Sequence, residues 1–501
     1  MPSLVGSEMC IRDSINITYE VKKGEKTEIV NKMMPHINIG KIPIMLNSCL
    51  CSLQHSNAEE GAAECPHDTG GYFIINGSEK TVIGQERAAE NQVYCFNLKK
   101  NTKYSWQAEV RSVPDFKQIS PKLINVMISK KATENGHPLY IDLPKLRSPI
   151  SLFTLFKALG VLSDKKICEY ILLNVDNNDQ QFLPLLKASI IDSNKITTQE
   201  EAFNLIVSHA QFTTYKNTQT NHDKKIAYTR EIITTELFPH CKTNTEKLYF
   251  LGYMTMRLLK TSIGIIGVSD RDSYENKRID TCGVLLNNLF RNNFNKMVKD
   301  MQKHIRREVA NGSWKSNSEY KNIVNLTNIY KIIKASTIEN GFKRALATGD
   351  FGIANSKSNK VGVAQVLNRL TYISTLSHLR RVNTPIDKSG KLIAPRKLHN
   401  STWGFLCPAE TPEGHSVGVV KNLSYLTNIT LPSNSESIYT YLLPHIRKMD
   451  NVTSPHDAFN KVKVIVNGNW YGITDTPIML FKDLKKKKEQ GIINIYASIT
   501  F

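Results

Sequence analysis

The sequence predicts an α+β protein of several domains, in which helices mix with antiparallel hairpins. Three observations predict this class. The chain has 501 residues, 41% of them hydrophobic, and single hydrophobic cores seldom grow past about 250 residues. Two β-rich stretches each contain an Asn-Gly pair near their middle, which is the strongest two-residue hairpin signal. Elsewhere, apolar residues recur every three or four positions over a long stretch, as on one face of a helix.

Both predicted hairpins turn at an Asn-Gly pair. The first has a β-rich run at residues 72–75, the turn Asn76-Gly77 and a returning run at residues 81–83. The second follows the alternating valines of residues 462–466, turns at Asn467-Gly468 and returns through Trp470-Tyr471. Aromatic and β-branched residues around a tight turn favour paired strands.

A helix of roughly 25 residues is predicted from Val284 onward, with Asn311-Gly312 as its left-handed stop. Its apolar face consists of Leu286, Phe290, Phe294, Met297, Met301 and Ile305. The cations on its other face are typical of a solvated helix surface. An amphipathic stretch is predicted at residues 150–162, and an apolar helical segment is predicted to open at Leu251.

The overall charge indicates an acidic partner. Lys and Arg number 65 against 45 Asp and Glu, for a net charge of +20, which suits nucleic acid or an anionic membrane surface. No apolar run reaches about 18 residues, so a membrane span is not expected. The nine cysteines include no C-x-x-C pair that could begin a zinc site. Motifs of stand-alone NTPases, dehydrogenases and hydrolases are also absent from the sequence.

Candidate binding residues concentrate between residues 343 and 399, where eleven cations face two acids. The spacing of Val363, Val366, Leu367, Leu370 and Ile373 predicts one helix. Its polar side would carry Gln365 and Arg369, either as nucleic-acid contacts or as an ordinary solvated face.

Further cations lie on a turn-rich backbone after that helix. They are Arg380, Arg381, Lys388, Lys391, Arg396 and Lys397. Arginine suits phosphate because its planar guanidinium donates two charge-assisted hydrogen bonds. The alternative for the adjacent pair is that one arginine is buried against a carboxylate. His378 and His399 lie beside cations, which favours hydrogen-bonded structural histidines over proton relays.

Residues 407–414 read Cys-Pro-Ala-Glu-Thr-Pro-Glu-Gly, which predicts a stiff turn that fixes Glu410 and Glu413. Glu413 could instead cap backbone N–H groups. A catalytic metal site is not expected, because no D-x-D-x-D cluster is present. The sequence Asp270-Arg271-Asp272 comes nearest to such a cluster, but the arginine between its two acids indicates ion pairing instead.

The motifs Ser377-His378-Leu379-Arg380-Arg381 and residues 407–414 resemble the fork region of the second-largest (beta-type) subunit of multisubunit DNA-directed RNA polymerases, closest to the polymerase II and large-DNA-virus branch. Residues 40–46, 64–71 and 85–87 resemble the protrusion of that subunit. The resemblance implies an unmatched, artefactual start followed by an N-terminal-half fragment. Its regions would be 1–14 (unmatched), 15–87 (protrusion, first part), 88–275 (lobe), 276–346 (protrusion, return), 347–426 (fork) and 427–501 (external, truncated).

The resemblance implies DNA-templated RNA synthesis by a multisubunit nucleotidyltransferase, of which this fragment alone would be inactive. Mg²⁺ would be held by the largest subunit and Zn²⁺ by a missing C-terminal part. Partners would be template DNA, the RNA transcript, the largest subunit and the other polymerase subunits, but no membrane. The location would be the nucleus, or a viral factory or virion.

The resemblance also assigns roles to residues. None would be catalytic, and Glu410 would face the active centre. Nucleic-acid contacts would come from Gln365, Arg369, Arg380, Arg381, Lys388, Lys391, Arg396 and Lys397. The rival interpretation is a non-catalytic, basic nucleic-acid-binding scaffold derived from that subunit; a membrane-surface protein fits less well, because no helix combines a dominant apolar face with a strongly basic one.

Overall fold

The computed structural model describes residues 8–23, 26–51, 53, 65–98, 101–115, 119–175, 181–212, 219–311, 326–352, 361–390 and 392–501. The strands in these ranges are β1 (Glu8–Lys23), β2 (Lys26–Pro43), β3 (Phe73–Ile75), β4 (Ser78–Val82), β5 (Gly84–Ala88), β6 (Tyr94–Asn97), β7 (Tyr104–Ser112), β8 (Lys122–Ser129), β9 (Leu139–Asp142), β10 (Ile150–Ser151), β11 (Lys277–Asp280), β12 (Ala364–Val366), β13 (Arg381–Asn383), β14 (Val420–Asn422), β15 (Arg447–Lys448), β16 (Val462–Val466) and β17 (Asn469–Thr474).

The α-helices in the same ranges are α1 (Leu152–Ala158), α2 (Asp164–Leu172), α3 (Leu183–Ser193), α4 (Gln199–His209), α5 (Gln219–Thr235), α6 (Asn244–Ile263), α7 (Cys282–Asn311), α8 (Leu326–Ile332), α9 (Ser336–Thr348), α10 (Tyr372–Leu379), α11 (Glu436–Leu442) and α12 (Pro477–Glu489). The predicted α+β class is therefore confirmed. None of these helices combines the length and the apolar character that crossing a bilayer requires.

The chain divides into two compact units, each built from two separate segments. Unit 1 comprises Met1–Ala88 and Asp272–Ile429, and Unit 2 comprises Ala89–Arg271 and Thr430–Phe501. The division of the chain into named polymerase regions stays a prediction.

Leu285, Leu289 and Met297 of the long helix α7 belong to the hydrophobic core of Unit 1. The hairpin of β1 and β2 pairs from Glu8↔Pro43 to Lys23↔Lys26, so residues 8–14 belong to a strand. Helix α9 packs against both β2 and α7. Its approach to β2 is close, because a Cβ added at Gly40 would lie 2.9 Å from Ile338 Cβ.

Both sequence predictions for this part of Unit 1 are confirmed. Strands β3 and β4 pair as an antiparallel hairpin, and Asn76 and Gly77 have φ values of 50° and 76°, as its two-residue turn requires. Helix α7 has 30 residues and begins at Cys282, two positions before the predicted start. Gly312, the predicted stop, lies outside the described residues.

The predicted binding residues lie in residues 361–429 of Unit 1, which we call the fork segment. Two of its strands, β13 and β14, belong to a four-stranded sheet. Its strand order is β11-β5-β13-β14. Strand β13 pairs in parallel with β5, through Val382↔Gly84, and antiparallel with β14, through Val382↔Lys421. Strand β12 joins the separate sheet β12-β4-β3. Residues that are about 300 positions apart in sequence therefore support each other here.

Unit 2 is built on a five-stranded antiparallel sheet of order β10-β9-β8-β7-β6, against which α6 packs. The stretch at residues 150–162 contains α1, but its predicted amphipathic character is wrong, because all seven residues of α1 are buried. Helices α2, α3 and α4 enclose it together with β9 and β10. Lys157, which reads as polar in sequence, is buried and donates from Nζ to the Ser193 and Ile196 carbonyl oxygens, both at 3.0 Å.

The start predicted for helix α6 also needs correction. The helix begins at Asn244 and not near Leu251, because Thr243 caps it by accepting a hydrogen bond from the Glu246 N–H at 3.2 Å. The hairpin predicted around Asn467-Gly468 is confirmed as β16 and β17.

The pairing predicted for Arg271 is also confirmed. Its guanidinium donates to Glu109 Oε2 at 3.0 Å. It also lies 3.7 Å from the centroid of the Phe96 ring.

Candidate nucleic-acid interface

The start of the fork segment is a strand followed by a helix. The single helix predicted for residues 363–373 is wrong: Ala364–Val366 is β12, and α10 begins only at Tyr372. The capping box of Thr371 and Ser374 sets that start, since each side chain accepts a hydrogen bond from the other's backbone N–H. Helical spacing misled the prediction because Leu370 and Ile373 are 85% and 77% exposed.

Gln365 contributes to an internal hydrogen-bond network around a buried histidine. His378 Nδ1 accepts the Asn368 N–H at 3.0 Å, so Nε2 carries the proton and donates to Gln365 Oε1 at 3.0 Å. The Gln365 amide nitrogen in turn donates to the Gly362 carbonyl oxygen at 3.1 Å. Burial, together with the charge of Arg381, lowers the pKa of His378 to about 4. The neutral His378 is structural, as predicted. Its hydrogen bond occupies the side-chain amide of Gln365, which the sequence analysis predicted to contact nucleic acid.

Arg369 is held by two carboxylates. It donates to Glu79 from Nε at 2.8 Å and from Nη2 at 2.9 Å, and to Asp68 Oδ2 from Nη2 at 3.0 Å. Its guanidinium also lies 5.0 Å from the centroid of the Tyr72 ring. The hydrogen bonds and charges of these carboxylates raise the pKa of Arg369 further. Because two acids balance its charge, this arrangement argues against the predicted phosphate contact by Arg369.

The adjacent arginines occupy different environments. Arg380 Nη2 donates to the carbonyl oxygens of Ser424, Tyr425 and Thr427, at 2.9, 3.2 and 3.1 Å. Arg381 belongs to β13, and its buried Nε has no hydrogen-bond partner. Among the described residues neither guanidinium pairs with a carboxylate, so the alternative that one is buried against an acid finds no support there.

Arg396 links three loops. Its Nη1 donates to the carbonyl oxygens of His415 and Val417 at 2.7 and 3.0 Å, and its Nη2 donates to that of Lys388 at 2.8 Å. Gly418 makes this approach possible, since a Cβ there would lie 2.2 Å from the Arg396 carbonyl oxygen. Arg396 therefore stabilises the loops, and little of its hydrogen-bonding capacity is left for phosphate.

Two predicted lysines extend from this braced backbone into solvent. Lys388 and Lys397 are exposed, and within the described part of the chain neither forms an ion pair. Asp387, the acid beside Lys388, accepts hydrogen bonds from the backbone N–H and Oγ of Ser389, at 3.0 and 2.7 Å. Lys391 lies outside the described residues.

The turn at residues 407–414 places Glu410 on the surface. Its carboxylate accepts a hydrogen bond from Ser377 Oγ, and its carbonyl oxygen accepts one from Asn422 Nδ2 at 3.3 Å. Glu413 precedes the short helix Gly414–Ser416 without capping it through its side chain, so the capping alternative is wrong. The hydrogen bonds from Ser377 and Asn422 therefore hold Glu410 in place.

A buried ionic network, which the sequence did not indicate, lies under these loops. Glu86 accepts hydrogen bonds from Tyr274 Oη, from Thr384 Oγ1 at 2.7 Å and from Lys421 Nζ at 3.1 Å. Burial opposes ionisation of Glu86, but Lys421 and the two hydroxyls outweigh it and lower its pKa. A cavity of about 110 Å³ adjoins the network, and its lining includes Lys397, Glu410 and Lys421.

The structure thus brings the predicted residues onto one segment but divides their roles. Arg369, Arg380 and Arg396 are tied to protein oxygens, whereas Lys388 and Lys397 face solvent. Among the predicted cations in the described ranges, Lys388 and Lys397 are therefore the exposed pair that no carboxylate neutralises.

Two family models match the sequence. One, described as RNA polymerase beta subunit, matches residues 10–340, and the other, described as RNA polymerase Rpb2, domain 3, matches residues 365–429. The first covers more than half of the chain, and the second spans nearly all of the fork segment. The chain belongs to the RNA polymerase beta subunit family, which confirms the resemblance found in the sequence.

The relatives come from cells and from a virus. The chain is 39% identical over 491 residues to DNA-directed RNA polymerase II subunit 2 of Arabidopsis thaliana, covering 96% of this chain and 40% of that protein. Identity is 40% over 458 residues with the RPB2 subunit of RNA polymerase II from Encephalitozoon cuniculi, covering 90% and 38%. It is 32% over 502 residues with DNA-directed RNA polymerase subunit 2 of Acanthamoeba polyphaga mimivirus, covering 95% and 40%. The chain spans about two fifths of the length of these relatives.

Proposed function

We propose that this chain is the part of a DNA-dependent RNA polymerase second subunit that helps to form the DNA- and RNA-binding cleft. The observation that carries the proposal is the fork segment, where loops braced by Arg380 and Arg396 present Lys388 and Lys397 to solvent. A braced backbone can bind a polyanion without the entropic cost of ordering its loops.

Within that function, the described side chains would bind and position rather than react. RNA synthesis is an in-line attack of the RNA 3′ hydroxyl on a nucleoside triphosphate, assisted by two Mg²⁺ ions. Among the described residues, no group of three or more His, Cys, Asp or Glu side chains could hold a metal ion. As the family resemblance implies, Mg²⁺ would be held by the largest subunit and Zn²⁺ by a C-terminal part of the second subunit. Lys388 and Lys397 would contact phosphates, and Glu410, fixed by Ser377, would face the active centre.

The proposed partners are template DNA, the transcript, the largest subunit and the remaining polymerase subunits. We also propose a nuclear location, or a viral factory or virion if the source is viral, since the relatives include a subunit of RNA polymerase II and a subunit from a mimivirus.

The test is an assembled polymerase whose second subunit carries Lys388→Gln and Lys397→Gln. Each lost phosphate contact should reduce the slope of log affinity against log salt by about 0.9 on duplex DNA. We expect a reduction of about 2 for a DNA–RNA scaffold, together with slower elongation. Lys165→Gln with Lys166→Gln, on the exposed surface of α2, is the matched control and should change neither.

Two results would contradict the proposal. One is an unchanged salt slope for the double variant of Lys388 and Lys397. The other is a complete assembly that binds the scaffold but synthesises no RNA, which would favour the scaffold interpretation. The isolated 501-residue chain should add no nucleotides.

A further inference from the structure

Unit 2 carries a second cationic surface that the sequence did not single out. Strand β7 begins at Tyr104 opposite Ser129, the last residue of β8. The turns beyond these two residues are joined, because the Lys130 N–H donates to the Lys103 carbonyl oxygen at 3.0 Å. As a result Lys103, Lys130 and Lys131, all exposed, lie together at one end of the sheet.

Local hydrogen bonds stabilise both turns. Thr102 Oγ1 donates to the Tyr104 carbonyl oxygen at 2.7 Å, and Ser129 Oγ donates to that of Lys131 at 3.2 Å. His137 Nδ1 lies 2.9 Å from the Ser129 carbonyl oxygen. The lysines are therefore presented by a supported backbone, as in the fork segment.

The lysines border an open groove of about 550 Å³ that Tyr104 and Tyr140 also line. These tyrosines belong to β7 and β9 and meet across β8, with ring centroids 6.3 Å apart and planes at 61°. Aromatic rings beside a row of cations match single-stranded nucleic acid, whose phosphates need cations and whose unpaired bases stack on rings. An acidic peptide would use the cations only, and a duplex keeps its bases paired.

Charge also distinguishes the two sides of this groove. Burial raises the pKa of both tyrosines, and the carboxylates of Asp142 and Asp192 raise the pKa of Tyr104 and Tyr140, respectively, further. Negative charge therefore lies near the tyrosines and positive charge along the lysines. Phosphates would follow the lysines, and bases would lie toward the rings.

We propose that this groove is a binding site for single-stranded nucleic acid, with phosphates on Lys103, Lys130 and Lys131 and a base against Tyr104 or Tyr140. The proposal goes beyond the proposed function because it stands on the groove's own chemistry. It would hold for a polymerase subunit and for a nucleic-acid-binding scaffold alike.

The first test maps the contact by lysine acetylation. The 501-residue chain is acetylated with and without oligothymidylate, and modification of each lysine is followed by mass spectrometry. We expect oligothymidylate to slow modification of Lys103, Lys130 and Lys131 several-fold and to leave Lys165 and Lys166 unchanged. Equal rates with and without oligothymidylate at the three groove lysines would overturn the proposal. So would protection by duplex DNA or a phosphoserine peptide but not by oligothymidylate.

The second test uses matched pairs of adjacent lysines. Lys130→Gln with Lys131→Gln should reduce the salt slope for oligothymidylate by about 1.4, since each contact with a single strand contributes about 0.7. Lys165→Gln with Lys166→Gln should leave that slope unchanged, and equal slopes for both pairs would contradict the assignment.

A ring variant separates stacking from charge. Tyr104→Leu should weaken binding of oligothymidylate severalfold but not binding of an abasic oligonucleotide. Equal weakening of both would exclude the base contact. Because protection is read at individual groove lysines, these results do not depend on whether Lys388 and Lys397 act in transcription.

Discussion

Replacing Glu86 should loosen the sheet that carries the fork segment. The buried carboxylate accepts hydrogen bonds from Tyr274, Thr384 and Lys421, and the Lys421 side chain is only 19% exposed. Glu86→Gln keeps the shape but removes the negative charge, so its cost should be that of a hydrogen bond to a charged group, about 2 kcal/mol. Glu86→Ala should cost about 3 to 5 kcal/mol, since it leaves Lys421 largely buried without a counter-charge.

Hydrogen exchange in β5, β13 and β14 is the appropriate assay, because it reports the local free energy of opening in a chain of two units. A double-mutant cycle with Lys421→Met isolates the pair. We expect a coupling energy of about 1 to 3 kcal/mol between Glu86→Gln and Lys421→Met. Glu275→Gln changes an exposed carboxylate near Tyr274 and should stay within about 0.5 kcal/mol of the original. Additive effects in the cycle would refute the reasoning.

The pH dependence of this contribution has a defined sign. The pKa of Glu86 is lower in the folded chain than its ordinary value, so ionisation stabilises the fold. The contribution should be fully present above the unfolded-state pKa of about 4.3 and should be lost as pH falls through the folded-state pKa. The difference between the original chain and Glu86→Gln should therefore shrink in acid, and a constant difference would contradict the cause given.

Two further predictions concern the loops and the buried histidine. Gly418→Ala should destabilise the Arg396 loops more than Gly414→Ala does: both glycines have positive φ, 68° and 78°, which costs an alanine about 1 to 2 kcal/mol, but only at Gly418 would the added Cβ clash with backbone. Limited proteolysis should show faster cleavage near Arg396 for Gly418→Ala, and equal rates for the two variants would refute the clash. His378 should lose up to about 3 kcal/mol of stabilisation as pH falls from about 6.5, its unfolded-state pKa, to about 4. Hydrogen exchange in α10 should follow that loss in the original chain and not in His378→Gln, and a flat profile in the original chain would contradict it.

Local chemistry was enough to predict several elements. Asn76-Gly77 and Asn467-Gly468 adopt the left-handed conformations that two-residue hairpins need, and few other residue pairs do so readily. Helix α7 was predictable because one unbroken apolar stripe spans its length. Such features depend on neighbours within a few positions, which the sequence displays directly.

Other predictions failed where a segment that is distant in sequence determines the local structure. The stretch at residues 363–373 has helical spacing, but β4 offers an edge to which β12 pairs, and the Thr371 cap delays the helix. Lys157 gave α1 a polar side in sequence, yet the Ser193 and Ile196 carbonyl oxygens accept its hydrogen bonds inside Unit 2.

By itself, the sequence determined the mixed fold class, both hairpins, the long helix and the concentration of cations and rigid turns in residues 343–414, and its motifs pointed to the family. Only the tertiary structure decided which cations are available to a partner. Whether a guanidinium can bind phosphate depends on whether oxygens of the protein already accept its hydrogen bonds. For Arg369 these oxygens include the carboxylate of Glu79, which lies 290 positions away in sequence. Such oxygens come together only when the chain is folded. In the folded chain Arg369 and Arg396 donate hydrogen bonds to protein oxygens, whereas Lys388 and Lys397 face solvent.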